Sequence, residues 1–253
     1  EKTAYIVNQV CGSGIRSVAS GFQSIISGDS KIVVAGGQES MSLSPHAIRL
    51  REGNKLGDTK LIDMMIKDGL WDAFNGYHMG ITAENVADKF QITREEQDKF
   101  AIKSQENALK AQKNEKFKEE IVNFQIKLKN TEFNFNIDEH PREGIDLKTL
   151  KKLKPAFNKD GTVTAGNASG INDGAAAVTL MSNEEAEKKG IEKLVSIKSW
   201  ASCGVDPALM GTGPIPSSKK ALDIAGWSIK DVDLFEINEA FAAQSIAVLK
   251  TLS

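Results

Sequence analysis

Only two cysteines and three histidines occur among the 253 residues, so the stock of nucleophiles and near-neutral bases is small. Cys11 stands out by position, between the apolar residues ending at Val10 and the turn Gly12-Ser13-Gly14. A cysteine where a strand gives way to a helix meets free backbone N–H groups and the positive end of the helix dipole, both favouring a thiolate. Such settings lower a thiol pKa from about 8.5 to roughly 3.5–7.5. Position alone leaves two readings open, an activated nucleophile or a buried structural thiol. A cysteine nucleophile needs a base within hydrogen-bond reach. The histidines available are His46, His78 and His140. His78 has the most suggestive surroundings, in NGYHMGITAE between two glycines and just before a helix-forming run. An ordinary surface or core histidine is the alternative there.

Two further stretches draw attention. TAGNASGINDGAAAV (164–178) is dense in small residues, so a narrow ligand could approach its backbone; equally, it could be a flexible loop entering a tightly packed strand. EINEAFA (236–242) puts Asn238 and Glu239 at a strand-to-helix turn, where sites of α/β sheets gather. Asn238 could also simply cap the helix. Nucleotide loops are excluded. GSGIRS lacks the third glycine of a dinucleotide fingerprint, and no Gly-Lys-Ser/Thr loop occurs. In MGTGPIPSS, Pro214 and Pro216 lack the N–H donors of a phosphate cradle, so a rigid turn before a helix is expected.

The elements that must position these residues follow from pattern. Residues 4–10 read as a strand, 14–27 as a helix and 31–35 as a buried strand, a β-α-β alternation that predicts an α/β fold with a parallel sheet. From about Ser40 to Asn172 the chain is richer in charge. Apolar residues recur at helical spacing in 61–70 and 83–90, and Thr93 with Glu96 forms a capping box opening a helix over 94–113. Its alternating charges suggest a solvated amphipathic helix. IVNFQIKL and EFNFNI alternate with period two about Lys129-Asn130, predicting a hairpin. Further on, 175–182 reads as a strand, Ser182 with Glu185 caps a helix ending at Gly190, and 194–201 reads as another strand. A helix over 217–225, a strand over 233–238 and a helix over 239–250 follow. The order is α/β, an insertion, then α/β again.

Hydrophobic content of 40% with 26% charged residues is that of an ordinary globular chain. No apolar stretch approaches the roughly 20 residues that span a bilayer. Thirty-two basic against 34 acidic residues give a net charge of −2, so no global field favours nucleic acid, although KTLKKLK (148–154) could form a local patch for an anion. Two cysteines make no disulfide framework and no metal-ligand spacing, which points to a reducing, cytoplasmic compartment. Strand-like Tyr5-Ile6-Val7 follows Glu1 almost directly, so the natural start is expected upstream.

Together, NQVCGSG (with Asn8, Cys11, Ser13 and Gly14), AGGQESMS, DGLWDAFNGYHMGITAE, KPAF, GTVTAGNASGINDGAAA, MGTGPIP and NEAFAAQ resemble blocks of the thiolase family, in the family's order. The resemblance spans essentially the whole chain and is strongest to the biosynthetic branch. It implies an α/β fold with a layered α-β-α-β-α core and an inserted loop domain, incomplete here. Residues 1–40 would end the N-terminal half, 41–171 form the CoA-binding loop domain, and 172–253 begin the C-terminal half. The implied activity is that of an acetyl-CoA C-acetyltransferase, condensing two acetyl-CoA to acetoacetyl-CoA plus CoA or running the reverse thiolysis. Coenzyme A thioesters are then substrates, no cofactor or metal is implied, no nucleic acid or membrane is a partner, and a homodimer or homotetramer is expected.

By the same resemblance, Cys11 is the nucleophile, its backbone N–H serves an oxyanion, and Asn238 holds a water in a second oxyanion hole. His78 and Met79 match residues beside the acyl group and the pantetheine end. Ser169 matches a pantetheine contact, with Ala165, Ala168 and Gly170 letting that arm lie close. Leu70 and Phe157 match apolar walls of the tunnel, and Arg142 a residue near the adenine. The family's catalytic histidine lies in a later Gly-His-Pro motif and its second cysteine in a Cys-x-Gly motif; neither occurs in these residues, and Cys203 fits neither context. The chain alone is therefore expected to be inactive in condensation. The alternative is a truncated or split-gene remnant acting as a non-catalytic CoA-binding or assembly subunit. NGYHMGITAE together with NEAFAAQ argues against a ketoacyl synthase.

Overall fold

The structure is a computed structural model and describes residues 2–51 and 53–252. A single 3-10 turn (Val10–Gly12) leads into α1 (Ser13–Ile26), followed by β1 (Ile32–Ser40), β2 (His46–Ala47), β3 (Ile62–Asp63), a wide π-type turn (Met65–Leu70) and β4 (Trp71–Asp72). Next come β5 (Tyr77–His78), α2 (Met79–Lys89), α3 (Arg94–Lys113), β6 (Phe124–Leu128), β7 (Thr131–Phe135) and α4 (Leu147–Leu150). Then follow β8 (Asp173–Met181), α5 (Asn183–Lys189), a 3-10 turn (Pro207–Thr212), α6 (Pro214–Ala225), another 3-10 turn (Ile229–Asp231) and α7 (Ala242–Leu252). The mixture is α/β, as expected. It divides into two units, one of Glu1–Gly76, Ile171–Gly204 and Pro216–Asp233, the other of Tyr77–Gly170, Val205–Ile215 and Leu234–Ser253.

In the first unit β1 pairs with β8, from Ile32 opposite Met181 to Ser40 opposite Asp173, and the pairing is antiparallel. The parallel sheet expected from a β-α-β unit is not formed by these strands, because its first strand is missing. Residues 4–9 make no ladder among the described residues, and the Ile6 side chain is 96% exposed. α1 therefore links no pair of strands. It lies along β1 and β8, burying Ala19 and Gly21, and Ser17 Oγ donates to the Gly36 carbonyl at 2.8 Å. Small residues are required at this ladder: a Cβ on Gly36 would collide with the backbone of Ala176 and Ala177. The strand expected over 194–201 is also absent among the described residues, since no ladder partner lies alongside. That segment is tied down by Ser199 Oγ, which donates to the Ala221 carbonyl at 2.6 Å, and by the Arg16 guanidinium, 5.1 Å above the Trp200 ring. The helix expected over 61–70 is split into β3, antiparallel to β2, and the π-type turn.

The second unit has its apolar centre at α2 and α7, where Val86, Ala87, Ile92, Ala243 and Ala247 pack with Phe90, Leu209 and Ile246. An adjoining cluster joins Ala83, Val163 and Phe241, with Phe157, Ala168, Met210 and Ala240 against it. α3 begins at the predicted box: the Glu96 N–H donates to Thr93 Oγ1 at 3.2 Å, and Glu96 Oε2 accepts from the Thr93 N–H at 2.7 Å. It is not solvated all round, because Gln97 and Asp98 are fully buried. β6 and β7 form the predicted hairpin, closed by Leu128 opposite Thr131. The turn expected at MGTGPIPSS is helical, with Asp206 capping the 3-10 turn and Pro214 opening α6. Residues 233–238 form no strand, and α7 starts at Ala242 rather than 239. The cause of the late start is non-local. The Ala242 N–H donates to the Asn167 carbonyl at 2.9 Å, and the Ala240 carbonyl accepts from the Ser169 N–H at 3.0 Å, which withdraws both residues from a helical ladder.

Candidate active site

Cys11 sits in the first unit at the centre of the 3-10 turn before α1, free and exposed. The residue before it, Val10, has φ of +51°, a left-handed conformation that a β-branched residue seldom adopts. Strain of this kind costs on the order of 1–3 kcal/mol and persists only where neighbours enforce it. Asn8 and Ser13 enforce it here. Asn8 Oδ1 accepts from the Val10 N–H at 2.9 Å, while Ser13 Oγ accepts from the Gln9 N–H at 2.8 Å and donates to the Val10 carbonyl at 2.7 Å. The expected lowering of the thiol pKa is not found. Partial withdrawal of the sulfur from water pushes it up, and the Glu39 carboxylate at the end of β1 adds to the rise. α1 itself opens only at Ser13, beyond the thiol, and the Gly12 N–H already donates to the Gln9 carbonyl at 3.1 Å. Leu70, in the same unit, is half-buried at the end of the π-type turn.

The second unit gathers several of the other expected residues. His78 is the N-cap of α2, its Nδ1 accepting from the Gly80 N–H at 3.0 Å. Burial lowers its pKa, so at neutral pH the ring is uncharged, and with Nδ1 an acceptor its proton is on Nε2. The imidazole stacks on Phe157, centroids 4.6 Å apart and planes 21° apart. Phe157 in turn meets the edge of Phe241 at 6.3 Å, and Ala168 packs on the same cluster. Met79 follows as the half-buried first residue of α2.

The small-residue run and the Asn-Glu-Ala-Phe segment, separate in sequence, run side by side. Ala168 and Phe241 form an antiparallel bridge between the two backbone bonds described above. Ala165 and Ser169 are exposed on this loop, and Ala168 and Gly170 half-buried. Asn238 is exposed just before the bridge and does not cap α7, which starts four residues later. Its neighbour Glu239 accepts from Ser104 Oγ of α3 at 2.6 Å. Arg142 is exposed, and its backbone N–H donates to Gln105 Oε1 at 2.8 Å; that tie runs to α3 and not to the aromatic cluster.

Sequence reasoning missed the residues that hold the loop from behind. Glu84 on α2 accepts from the Thr162 N–H and Oγ1 and from the Val163 N–H, all at 2.9 Å. Asp98 accepts from Asn167 Nδ2 at 3.0 Å and pairs with Arg94 Nε at 3.0 and 2.9 Å. The only local signal was the i,i+4 spacing of Arg94 and Asp98. Among the described residues no three His, Cys, Asp or Glu side chains are grouped to hold a metal ion, and no helix is long and apolar enough to cross a membrane.

Comparison with known proteins places this geometry. The thiolase N-terminal domain family matches residues 1–184 and the thiolase C-terminal domain family residues 191–253. The chain is similar to an acetyl-CoA acetyltransferase of Rhizobium meliloti, 61% identical over 252 residues, covering 100% of this chain and 64% of that protein. It is similar in structure to the acetyl-CoA acetyltransferase of Bacillus anthracis, with TM-score 0.95 and 46% identity over 98% of this chain and 63% of that one. Human mitochondrial 3-ketoacyl-CoA thiolase in complex with CoA is also similar, with TM-score 0.91 and 44% identity over 97% of this chain and 61% of that one. The chain thus spans less than two thirds of the length of these relatives. With the α/β fold shared and both domain families matched in order, the chain belongs to the thiolase family.

Proposed function

We propose that the chain carries the nucleophile of an acetyl-CoA C-acetyltransferase, which condenses two acetyl-CoA to acetoacetyl-CoA and CoA or runs the reverse thiolysis. One observation carries the reading: an exposed thiol directly after a strained Val10, in a chain of this family. Cys11 Sγ gives its proton to a base and attacks the acetyl carbonyl; collapse of the tetrahedral adduct breaks the C–S bond to CoA, which leaves as a thiolate and takes up a proton. The thioester intermediate divides one difficult acyl transfer into two easier ones. The deprotonated methyl carbon of a second acetyl-CoA then attacks the acetyl thioester, forming the new C–C bond and releasing Cys11 Sγ.

In this reading the Cys11 N–H and a water held by Asn238 stabilise the oxyanions. His78 and Met79 border the acyl group, and Ser169 contacts pantetheine where Ala165, Ala168 and Gly170 leave room. Leu70 and Phe157 wall the tunnel, and Arg142 lies near the adenine. A raised thiol pKa makes a base necessary rather than optional. The Gly-His-Pro histidine and later cysteine implied by the resemblance occur nowhere in these 253 residues. A second reading follows for the 253-residue polypeptide by itself: it binds CoA without condensing acetyl groups. A cytoplasmic homodimer or homotetramer is the proposed setting of the whole enzyme.

The test is to expose the complete encoded polypeptide to acetyl-CoA, quench, digest and locate the acetyl group by mass spectrometry. Acetyl on the Cys11 peptide, absent in Cys11→Ser, is the expected result; turnover retained by Cys11→Ser overturns the proposal. Acetoacetyl-CoA made by the isolated 253-residue polypeptide would overturn the second reading.

A further inference from the structure

We infer that Asp98 is a positioning residue: through Asn167 it fixes the loop 164–170 against the segment 238–242 that carries Asn238. The inference rests on the acyl-transfer reading above, because that reading gives the loop and the segment a common ligand. The Asp98 side chain is 1% exposed. Burying a carboxylate is costly unless it is both paired and hydrogen-bonded, and an apolar replacement often serves stability as well or better. Here both requirements are met in one direction each. Arg94 supplies the charge from α3 and is itself braced, Nη2 donating to the carbonyls of Leu150 at 2.7 Å and Leu153 at 3.1 Å. Asn167 supplies the hydrogen bond from the loop.

Both side-chain N–H donors of Asn167 are used, and its oxygen is engaged as well. Its Oδ1 accepts from the Thr164 N–H at 2.8 Å, and its Nδ2 donates to Asp98 and to the Thr162 carbonyl at 3.1 Å. With the side chain held on these sides, its backbone carbonyl is aimed at the Ala242 N–H. The path therefore runs from α3 through Asp98 and Asn167 to Ala242, parallel to the Ser169–Ala240 bond. α3 reaches the same segment a second time through Ser104 and Glu239, the residue next to Asn238. A loop of Thr, Ala, Gly, Asn and Ser has little side-chain surface with which to fix itself, so the buried polar path adds to the Ala168 packing and the backbone bonds that hold it.

Asp98→Asn tests this sharply. One orientation of the new amide keeps an oxygen for Asn167 Nδ2 but sets its NH2 against Arg94 Nε, the other turns NH2 towards Asn167 Nδ2, and both remove the charge that pairs with Arg94. The complete encoded polypeptide is titrated with CoA by calorimetry, and hydrogen exchange is followed at the Ser169 and Ala242 amides. In folded Asp98→Asn, CoA should bind about tenfold more weakly, and both amides should exchange faster. Arg94→Lys keeps a cation beside Asp98 but loses the forked contacts, and should weaken CoA by about threefold. A lower melting temperature with unchanged CoA affinity and unchanged exchange would overturn the inference. Should Asp98→Asn fail to fold, Arg94→Lys decides alone on the same two readouts. Wild-type protein that binds no CoA would instead overturn the acyl-transfer reading, and the exchange readout then decides the positioning by itself.

Discussion

Alanine at Gly80 should destabilise the second unit, although alanine is the better helix former. Gly80 lies in the first turn of α2 and is buried; a Cβ there would enter the Phe157 ring, closer than the 3.0 Å that real Cβ atoms keep. To reach an ordinary carbon contact of ~3.5 Å the ring must retreat by about 1 Å. Its retreat is obstructed on two sides, by the His78 stack at 4.6 Å and by the edge of Phe241. Overpacking of this kind costs about 1–3 kcal/mol, and spoiling the aromatic pairs roughly 0.5–1.5 kcal/mol. Helix propensity returns about 1 kcal/mol. The net loss is about 0.5–3.5 kcal/mol, a shift of several degrees in Tm at roughly 2–4 °C per kcal/mol for a chain of this size. Urea denaturation of Gly80→Ala, Phe157→Ala and the double variant measures it. Once the ring is gone the clash is gone, so Gly80→Ala should become neutral or stabilising in the Phe157→Ala background. Equal stability of Gly80→Ala and wild type, or an equal loss in both backgrounds, would refute the reasoning.

Further outcomes follow from the same geometry. Burial depresses the His78 pKa below its ordinary 6.5, so folding disfavours its protonated form. The stability this contributes is present above 6.5 and fades as pH falls through the lower folded value. His78→Asn, which still offers a capping oxygen, should remove that part of the pH dependence; an unchanged profile contradicts it. Alkylation of Cys11 by iodoacetamide should have its pH midpoint above that of a free thiol, and Glu39→Gln should bring it down; no response to Glu39→Gln would remove the carboxylate as a cause. Val10→Asn should stabilise the protein by about 1 kcal/mol in urea, because asparagine tolerates the left-handed conformation; a loss would show that Val10 is not strained. Lys250 and Thr93 hold the Glu96 pKa at about 2, so its contribution is full above its ordinary 4.5 and lost as pH falls towards about 2. Glu96→Gln keeps a capping oxygen but loses the charge, so it should cost up to about 1 kcal/mol at pH 7, with the part due to exposed Lys250 shrinking in salt; a variant as stable as wild type would deny the charge a part in stability.

What could be foreseen from sequence was what is encoded within a few residues. Thr93 and Glu96, Ser182 and Glu185, and the alternation about Lys129-Asn130 each carry their own hydrogen-bond partners, and α3, α5 and the hairpin stand where these residues put them. Residues 4–10, 194–201 and 233–238 have strand composition, yet a strand exists only beside another, and composition does not name the neighbour. α7 begins late because Asn167 and Ser169, some 70 residues away, claim the backbone at Ala240 and Ala242. The candidate residues were picked out by type and context, since cysteine and histidine are scarce here and Asn238 lies at a turn between elements. Their supports were not. Arg94 and Asp98 fell within a helix expected to be solvated, because burial is a property of the neighbours α3 finds. The direction of the Cys11 shift was missed for the same reason: Glu39 acts on it across a turn of the fold, not along the chain.

The pairing of β1 with β8 also shapes how the chain reaches its fold. Residues 41–172 lie between the nearest partners, Ser40 and Asp173, so no rung of this ladder can form until that whole span has been made and drawn together. Loop-closure entropy rises only slowly with length, so the equilibrium cost is modest. The rate is another matter, because pairings distant in sequence are slow to find each other. The second unit has the same dependence, since α7 supplies Ala243 and Ala247 to the cluster around Val86. During synthesis α1 and β1 emerge next to each other and before β8, for which they wait; α2 and α3 wait for α7. An exposed β1 edge with apolar Val33 and Val34 is a surface for stray strand pairing during that wait. The last third of these residues therefore acts as the closing half of both units, and a ribosome stalled before β8 would present a nascent chain prone to aggregate.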